Sequence, residues 1–132
     1  DYSNIEQIPD RGRIAEQLFR RALSYGPTER AYLGLGLLRQ RDRDIPGAVD
    51  IVSEGLKYFP HSEGLNICLG TNYMNQGRFS EALRILHQFE QSPQALHHIA
   101  VCYQALGDPK NEAAFKKRAQ VLENGRNTSK KP

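Results

Sequence analysis

The side chains best suited to metal binding or catalysis are the four histidines and the two cysteines, Cys68 and Cys102. His97 and His98 are adjacent, so on a helix their side chains point about 100° apart and cannot readily share one metal ion. Cys68 and His98 could approach one another, but no further ligand accompanies them. We therefore predict no metal site, and we interpret both cysteines as small buried thiols.

Two short motifs contain the residue types of a nucleotide or nucleic-acid site. Gly34-Leu35-Gly36 has two glycines, but no third glycine follows at the spacing of a phosphate-binding loop. Lys116-Lys117-Arg118 is basic, but no aromatic residues that could stack on bases are interleaved with it. The formal net charge is only +3, and acidic residues alternate with basic ones. We predict no nucleic-acid partner, no cofactor and no catalytic residues, and therefore no enzymatic activity in this chain.

Length and composition bound the remaining classes of protein. The 132 residues, of which 39% are apolar, suffice for one domain with a hydrophobic core. No apolar run approaches the roughly 20 residues of a membrane-spanning helix, so we predict no membrane insertion. Two cysteines cannot form a disulfide framework. They indicate a reducing compartment, which predicts a cytoplasmic location.

The ends of the chain differ from its middle. The chain begins at Asp1 without an initiator Met, and it closes on a polar run. We interpret residues 1–10 as an N-terminal extension or the remnant of a truncated helix, and residues 123–132 as a disordered polar tail. Both ends favour a fragment of a longer protein over a complete gene product.

Between the ends, apolar residues recur with the period of an α-helix. Short breaks separate these helical stripes. The breaks contain Gly26-Pro27, Asp44-Ile45-Pro46, Phe59-Pro60, Gly77, Ser92-Pro93 and Gly107-Asp108-Pro109. This pattern predicts about seven helices and no strand. Thr28, Ser62 and Ser92 are placed to cap the helices that follow, and Pro93 suits a first helical position.

Similar residues return at a nearly fixed stride along this helical region. Leu35-Gly36 recurs as Leu69-Gly70, and Tyr73 recurs as Tyr103 after a slightly shorter step. A simple helix bundle gives no reason for such a stride. We therefore predict a repeat array, in which each unit covers the apolar face of its neighbour.

The repeated residues resemble those of the tetratricopeptide repeat (TPR), a helix–turn–helix unit of about 34 residues. The best match is Asn66-x2-Leu69-Gly70-x2-Tyr73, followed by Gly77 and Ala82. The resemblance implies an all-α fold, a right-handed superhelical solenoid of antiparallel helix pairs. It predicts a TPR-like domain at residues 11–122, with a half unit at 11–28 and complete units at 29–62, 63–92 and 93–122.

Small residues are expected where the two helices of a unit cross, because they let the helix axes approach to about 8–10 Å. Gly36 and Gly70 occupy this position on the first helices, and we expect Ala48 and Ala82 to face them from the second helices. These residues predict where the core of each unit is most closely packed.

Some positions depart from the family pattern. In the first complete unit, Arg39 replaces the Tyr and Arg43 replaces the turn Gly. The last helix has one apolar stripe, formed by Phe115, Ala119 and Leu122, and a charged remaining surface. We interpret it as a helix that caps the array, because a terminal repeat needs one polar outer face.

In solenoids of this family, the first helix of each unit lines a concave groove that binds peptides or helices. The resemblance therefore implies a partner-binding groove. Its predicted residues are Arg30, Leu33, Leu37, Gln40, Arg41, Ile67, Thr71, Met74, Asn75, His97, Val101 and Gln104. For the apolar members, packing between neighbouring helices is an equally good interpretation. TPR domains that grip acidic C-termini use Lys and Asn where Leu33 and Leu37 stand, so that ligand class does not fit.

The sequence thus predicts a non-catalytic protein-protein interaction or scaffolding module that binds a peptide or helix of an unidentified partner. One alternative remains open: an accessory C-terminal TPR segment of a larger bacterial enzyme, packed on its catalytic domain. The segments around Leu35-Gly36 and Leu69-Gly70 loosely resemble tails of bacterial radical-SAM enzymes. The cysteine triplet of those enzymes is absent from this chain.

Overall fold

A computed structural model of the protein describes residues 10–129, and the side chains of residues 11–126. This part of the chain contains seven α-helices and no strand. In chain order the helices are α1 (Asp10–Ser24), α2 (Glu29–Arg41), α3 (Ile45–Tyr58), α4 (Glu63–Asn75), α5 (Phe79–Leu86), α6 (Pro93–Ala105) and α7 (Pro109–Ser129), and a 3-10 turn (His87–Phe89) follows α5. The predicted all-α class is confirmed. The extension predicted at residues 1–10 lies outside the described residues except for the backbone of Asp10.

Side-chain caps explain where several helices begin. The hydroxyl groups of Thr28, Ser62 and Ser92 accept hydrogen bonds from the backbone N–H three residues later, at 3.1, 3.1 and 3.3 Å. These three predicted caps are confirmed, as is the proline at the start of α6. The carboxylate of Asp44 caps α3 in the same way at 3.0 Å, so α3 already begins at Ile45.

The turns between paired helices place one residue in the left-handed backbone region. Gly77 and Gly107 adopt φ angles of +75° and +73° between α4 and α5 and between α6 and α7. Arg43 adopts a φ of +66° between α2 and α3. A side chain in this region meets its own backbone, which glycine avoids. The replacement of the family's turn glycine by Arg43 therefore leaves a strained residue in the first complete unit.

Glycines in the first helices allow close helix packing, but their neighbours differ from the prediction. A Cβ on Gly36 would lie 2.4 Å from Cγ2 of Val52, and one on Gly70 would lie 3.0 Å from Cδ2 of Leu86. The expectation that Ala48 and its equivalent in the next unit face these glycines is wrong. The second helix instead presents the residue one turn further along, and the alanine is buried elsewhere in the core.

Two compact units divide the chain, Asp1–Cys68 and Leu69–Pro132, and α4 contributes to both. In the first unit α2 packs against α1 and α3, and in the second α6 packs against α5 and α7. The largest fully buried side chains are Leu35, Val52 and Leu65 in the first unit, and Asn72, Leu86, Leu96, Ile99 and Cys102 in the second. The predicted boundaries of the half unit and the three repeats stay predictions.

The last helix is longer than predicted. α7 continues to Ser129, so residues 123–129 are helical, contrary to the prediction of a disordered tail. Two contacts of side chains in this stretch explain the difference. The guanidinium of Arg126 donates to the backbone oxygen of Gln91 at 3.2 Å, and Glu123 pairs with His97 on α6. Residues 130–132 lie outside the described part of the chain.

Candidate functional site

The predicted groove residues of the first unit share one face of α2. Leu33, Leu37 and Gln40 are spaced by four and three positions, and Arg30 and Arg41 are exposed beside them. Leu37 is 49% exposed, whereas Leu33 is half-buried. This face of α2 therefore presents one exposed leucine between two arginines.

Other predicted groove residues of this unit lie in the protein interior. Ile67 on α4 is only 6% exposed. Cδ2 of Leu33 lies 3.1 Å from the position that a Cβ would take on Gly64 of α4. The side-chain oxygen of Gln40 lies 3.8 Å from the thiol of Cys68, which donates to it. Burial favours the packing interpretation for Ile67 and Leu33, and it leaves Leu37 as the apolar candidate of this unit.

The predicted groove residues of the second unit are mostly open to solvent. On α4, Thr71 and Met74 are half-buried and Asn75 is exposed. On α6, the exposed members are His97, Val101 and Gln104, and Val101 is 45% exposed. The imidazole of His97 is engaged by the carboxylate of Glu123 on α7. The α6 face thus offers one exposed apolar side chain between a paired histidine and an amide.

Leu37, Thr71 and Val101 occupy the same register of three successive first helices. The steps between them equal the steps by which the family motif itself recurs along the chain. The two apolar members are each nearly half-exposed, and the threonine between them in the sequence is half-buried. A single exposed apolar residue needs no explanation, but the recurrence at one register distinguishes this position from its surroundings.

The replacement of the family's Tyr by Arg39 has a structural reason. Its guanidinium forms an ion pair with Glu16 of α1, and its Nε lies 3.9 Å from the carboxylate of Asp44. The hydrogen bond from Arg39 lowers the pKa of Glu16, and Arg20 lowers it further. Arg39 therefore fastens α1 to α2, and it is not a candidate for partner binding.

A polar and aromatic cluster in the second unit was not predicted. Nδ1 of His87 lies 2.8 Å from the carboxylate of Glu90, and Nε2 lies 3.0 Å from the hydroxyl of Tyr103. The ring of Phe115 lies 5.3 Å from the ring of His87 and 5.6 Å from that of Tyr103. Arg118 pairs with Glu90 at 2.7 Å and lies over the ring of Phe115 at 4.9 Å. The five residues come from three separate segments, so their spacing in the sequence contained no signal for them.

The chemistry of this cluster is structural. Both ring nitrogens of His87 already have partners, so neither nitrogen is left to exchange a proton with a substrate. The hydrogen bond from His87, followed by contacts with Arg118, lowers the pKa of Glu90. Its carboxylate is therefore held in the charged form, and it joins the 3-10 turn to α7. A surface pocket of about 340 Å³ lies beside Glu90 and Arg118, and Leu96 and Leu122 form part of its wall.

The remaining chemical candidates of the sequence do not form a site. Cys68 and Cys102 are buried free thiols, and burial raises the pKa of Cys102 to about 11. At neutral pH this thiol stays protonated, which makes it a poor nucleophile. Within residues 10–129, no three His, Cys, Asp or Glu side chains are grouped so that they could hold a metal ion. Gly34-Leu35-Gly36 lies inside α2. Over the same range, no helix is long and apolar enough to cross a membrane.

Known proteins identify the fold of this chain as TPR-like. No protein-family model matches it, and no curated protein matches it. Several solved structures of MamA, a TPR-like protein, share the arrangement of helices. Because the sequence identities are low, this likeness shows the fold alone, and it confirms the TPR-like all-α class that the repeat predicted.

Three of these structures illustrate the extent of the match. A crystal structure of MamA has a TM-score of 0.74 at 14% identity, with 96% of this chain and 86% of that chain covered. MamA MSR-1 has a TM-score of 0.68 at 21% identity, with 84% and 67% covered. MamA AMB-1 has a TM-score of 0.67 at 23% identity, with 83% and 63% covered. The present chain spans about two thirds of the length of the latter two.

Proposed function

We propose that this chain is a non-catalytic interaction module that binds a peptide or helix of a protein partner through one face of its first helices. The observation that carries this proposal is the recurrence of exposed apolar side chains at one register. Leu37 on α2 and Val101 on α6 are 49% and 45% exposed at equivalent positions of the repeat. The TPR-like fold supports the general role, because repeats of this type present extended binding surfaces.

The exposed side chains indicate what such a partner offers. Leu37 and Val101 are apolar, Gln40 and Gln104 follow them three positions later with amide groups, and Arg30 stands at the edge of the α2 face. Amides can hydrogen-bond to a peptide backbone, while the apolar side chains select apolar residues of the ligand. We therefore expect a ligand with spaced apolar side chains, whose affinity falls only modestly between dilute and physiological salt.

A peptide-display selection tests this function without a known partner. The bait is the chain itself, and the library consists of random 16-residue peptides. We expect selected peptides to bind the parent, and to bind the Leu37→Glu variant at least about tenfold more weakly, because a central apolar contact becomes a buried charge. The matched control is Leu106→Glu, which changes a leucine that is 48% exposed and lies after α6, away from the proposed face.

The selection contradicts the proposal if the enriched peptides bind Leu37→Glu and the parent with equal affinity. The wider expectations of the sequence fit this proposal. A cytoplasmic location agrees with two free thiols, and a chain with this role requires no cofactor. The alternative role as an accessory segment of a larger bacterial enzyme would be favoured if the same face bound a domain of its own parent protein.

A further inference from the structure

The first described helix has an apolar side that faces solvent. Ile14 and Leu18 on α1 are 54% and 61% exposed, and Tyr25, just after the helix, is 83% exposed. They are spaced by four and seven positions, so they lie on one side of α1. Another side of the helix packs on α2, where the ring of Phe19 would lie 2.3 Å from a Cβ placed on Gly34. The exposed side, defined here by Ile14, Leu18 and Tyr25, is called the α1 outer face.

The repeat identifies the residues of α3 that correspond to this face. One constant offset along the chain aligns Ala15, Phe19, Ala22 and Pro27 with Ala48, Val52, Gly55 and Pro60. The same offset aligns Leu18 with Ile51 and Tyr25 with Tyr58. α1 is therefore the counterpart of α3, the second helix of the first complete unit.

In α3, the corresponding residues contact the first helix of their unit. Cγ2 of Ile51 lies 3.7 Å from the position of a Cβ on Gly36 of α2. The ring of Tyr58 stacks on Tyr32 of α2, with the ring centroids 6.0 Å apart. Ile51 is half-buried in this contact, whereas its counterpart on α1 is 61% exposed. The α1 outer face thus has the side chains of a helix-binding surface while they are exposed.

The charges around this face select among possible helices. Arg11 and Arg21 are exposed and lie on the same side of α1, because they flank Ile14 and Leu18 at helical spacing. The offset aligns Arg21 with Glu54 of α3, so the corresponding position has the opposite charge. A helix that packs here therefore meets arginines where α2 meets a carboxylate, and acidic side chains are the complementary partners.

We propose that the α1 outer face binds, in trans, an acidic amphipathic helix of a partner protein. The incoming helix packs on α1 as α2 packs on α3, with a small residue over Leu18 and an aromatic ring against Tyr25. Its carboxylates pair with Arg11 and Arg21. This surface lies on a second helix of the repeat, and it is distinct from the face of the first helices proposed above as the ligand site.

A peptide derived from α2 provides the probe. Residues 29–41 already contain the aromatic residue and the glycine at the required spacing, and Arg30→Glu, Arg39→Glu and Arg41→Glu make the peptide acidic. The labelled peptide is titrated with the full chain, and fluorescence anisotropy is recorded. We expect the acidic peptide to bind at least about tenfold more tightly than the same peptide with its natural arginines.

Variants of the full chain locate the site of this peptide. Leu18→Glu and Ile14→Glu should each weaken binding about tenfold or more, and Arg21→Glu about threefold or more. Leu106→Glu, which changes an exposed leucine elsewhere, should leave the affinity within about twofold. Because Leu18 and Ile14 are exposed, we expect both variants to keep the helical circular dichroism of the parent, which verifies that lost binding does not reflect unfolding.

Four outcomes overturn the proposal. The acidic peptide fails to bind the parent, it binds no better than the basic peptide, or Leu18→Glu binds it as well as Leu106→Glu does. The fourth is found by sedimentation of the protein alone: a parent dimer that dissociates in Leu18→Glu would make a second copy of this chain the occupant. Each outcome is independent of the Leu37→Glu test, so the two surfaces can fail separately.

Discussion

The first and the last described helices bury their side chains in different ways. In α7, Phe115 packs against two rings, Ala119 is fully buried, and Lys116 pairs with Glu112 on the outer surface at 2.6 Å. In α1, Phe19 contacts α2, but Ile14 and Leu18 on another side are more than half exposed. α7 thus combines a buried stripe with a charged surface, whereas α1 has apolar residues on two sides.

The difference shows what a helix at the end of a repeat array requires. Each repeat exposes an apolar face that its neighbour covers, so a helix without a further neighbour needs a polar outer side. α7 has the buried stripe predicted from Phe115, Ala119 and Leu122, although Val121 is 62% exposed. α1 lacks a polar outer side, and its exposed residues match positions that are in contact in α3. The α1 end therefore has the surface of an internal repeat.

The largest expected effect of a substitution separates these two helices directly. Phe115→Ala removes a half-buried ring from its contacts with His87 and Tyr103, and it should lower the free energy of unfolding by about 2–3 kcal/mol. Leu18→Ala removes a side chain that is already 61% exposed, and it should change the free energy of unfolding by less than about 0.5 kcal/mol.

Urea denaturation followed by circular dichroism measures both values. The wild-type chain is the common reference, and equal m-values would show that the two variants unfold from the same extent of structure. A loss at Leu18→Ala as large as that at Phe115→Ala would contradict the assignment of the α1 outer face as exposed, and the contrast between the two ends with it.

The sequence predicted features that depend on neighbouring residues better than features that depend on distant ones. The caps at Thr28, Ser62 and Ser92 are confirmed, because a cap joins a side chain to an N–H only three residues away. The end of α7 was missed, because it depends on contacts such as that of Arg126 with Gln91, 35 residues apart.

The candidate site shows the same limit. Helical spacing placed Leu33, Leu37 and Ile67 on one face, but it could not tell which of them is covered. Leu37 is exposed and Ile67 is buried, and this difference follows from packing with other helices. The cluster around His87 could not be predicted either, because its partners Tyr103 and Phe115 belong to two later helices, α6 and α7.

Two glycines of α2 provide a second test, because one faces the interior pair and the other faces the end helix. A Cβ on Gly36 would lie 2.4 Å from the buried, β-branched Val52, which has little freedom to move. Gly36→Ala should therefore lower the free energy of unfolding by about 1–2 kcal/mol, after the gain in helix propensity is included. A Cβ on Gly34 would meet only the far end of the Phe19 ring, at 2.3 Å.

We expect Gly34→Ala to change the free energy of unfolding by less than about 0.5 kcal/mol, because Phe19 is half-exposed and can move its ring while alanine favours the helix. Thermal unfolding and urea denaturation of the two variants, side by side, measure the difference. If Gly34→Ala proves as destabilising as Gly36→Ala, α1 is packed on α2 as rigidly as α3 is, and the end of the array is not looser than its interior.

The smallest expected effect concerns the turns, where the first complete unit again differs from the rest. Arg43 holds a φ of +66°, a conformation that Gly77 and Gly107 adopt at the equivalent turns. Removing the side chain relieves the contact of Cβ with the backbone, which costs roughly 1–2 kcal/mol, but glycine gains more freedom in the unfolded chain. Arg43→Gly should therefore raise the free energy of unfolding by about 0.5–1 kcal/mol.

Two further variants separate the backbone effect at this turn from the effect of charge. Arg43→Ala is the matched control: it removes the same charge but keeps the Cβ, so it should give no stabilisation. Gly77→Ala should be destabilising by about 1 kcal/mol, since nothing crowds its Cβ position and the backbone angle alone sets the cost. Urea denaturation resolves these differences, and equal stabilisation by Arg43→Gly and Arg43→Ala would assign the effect to charge rather than to the left-handed turn.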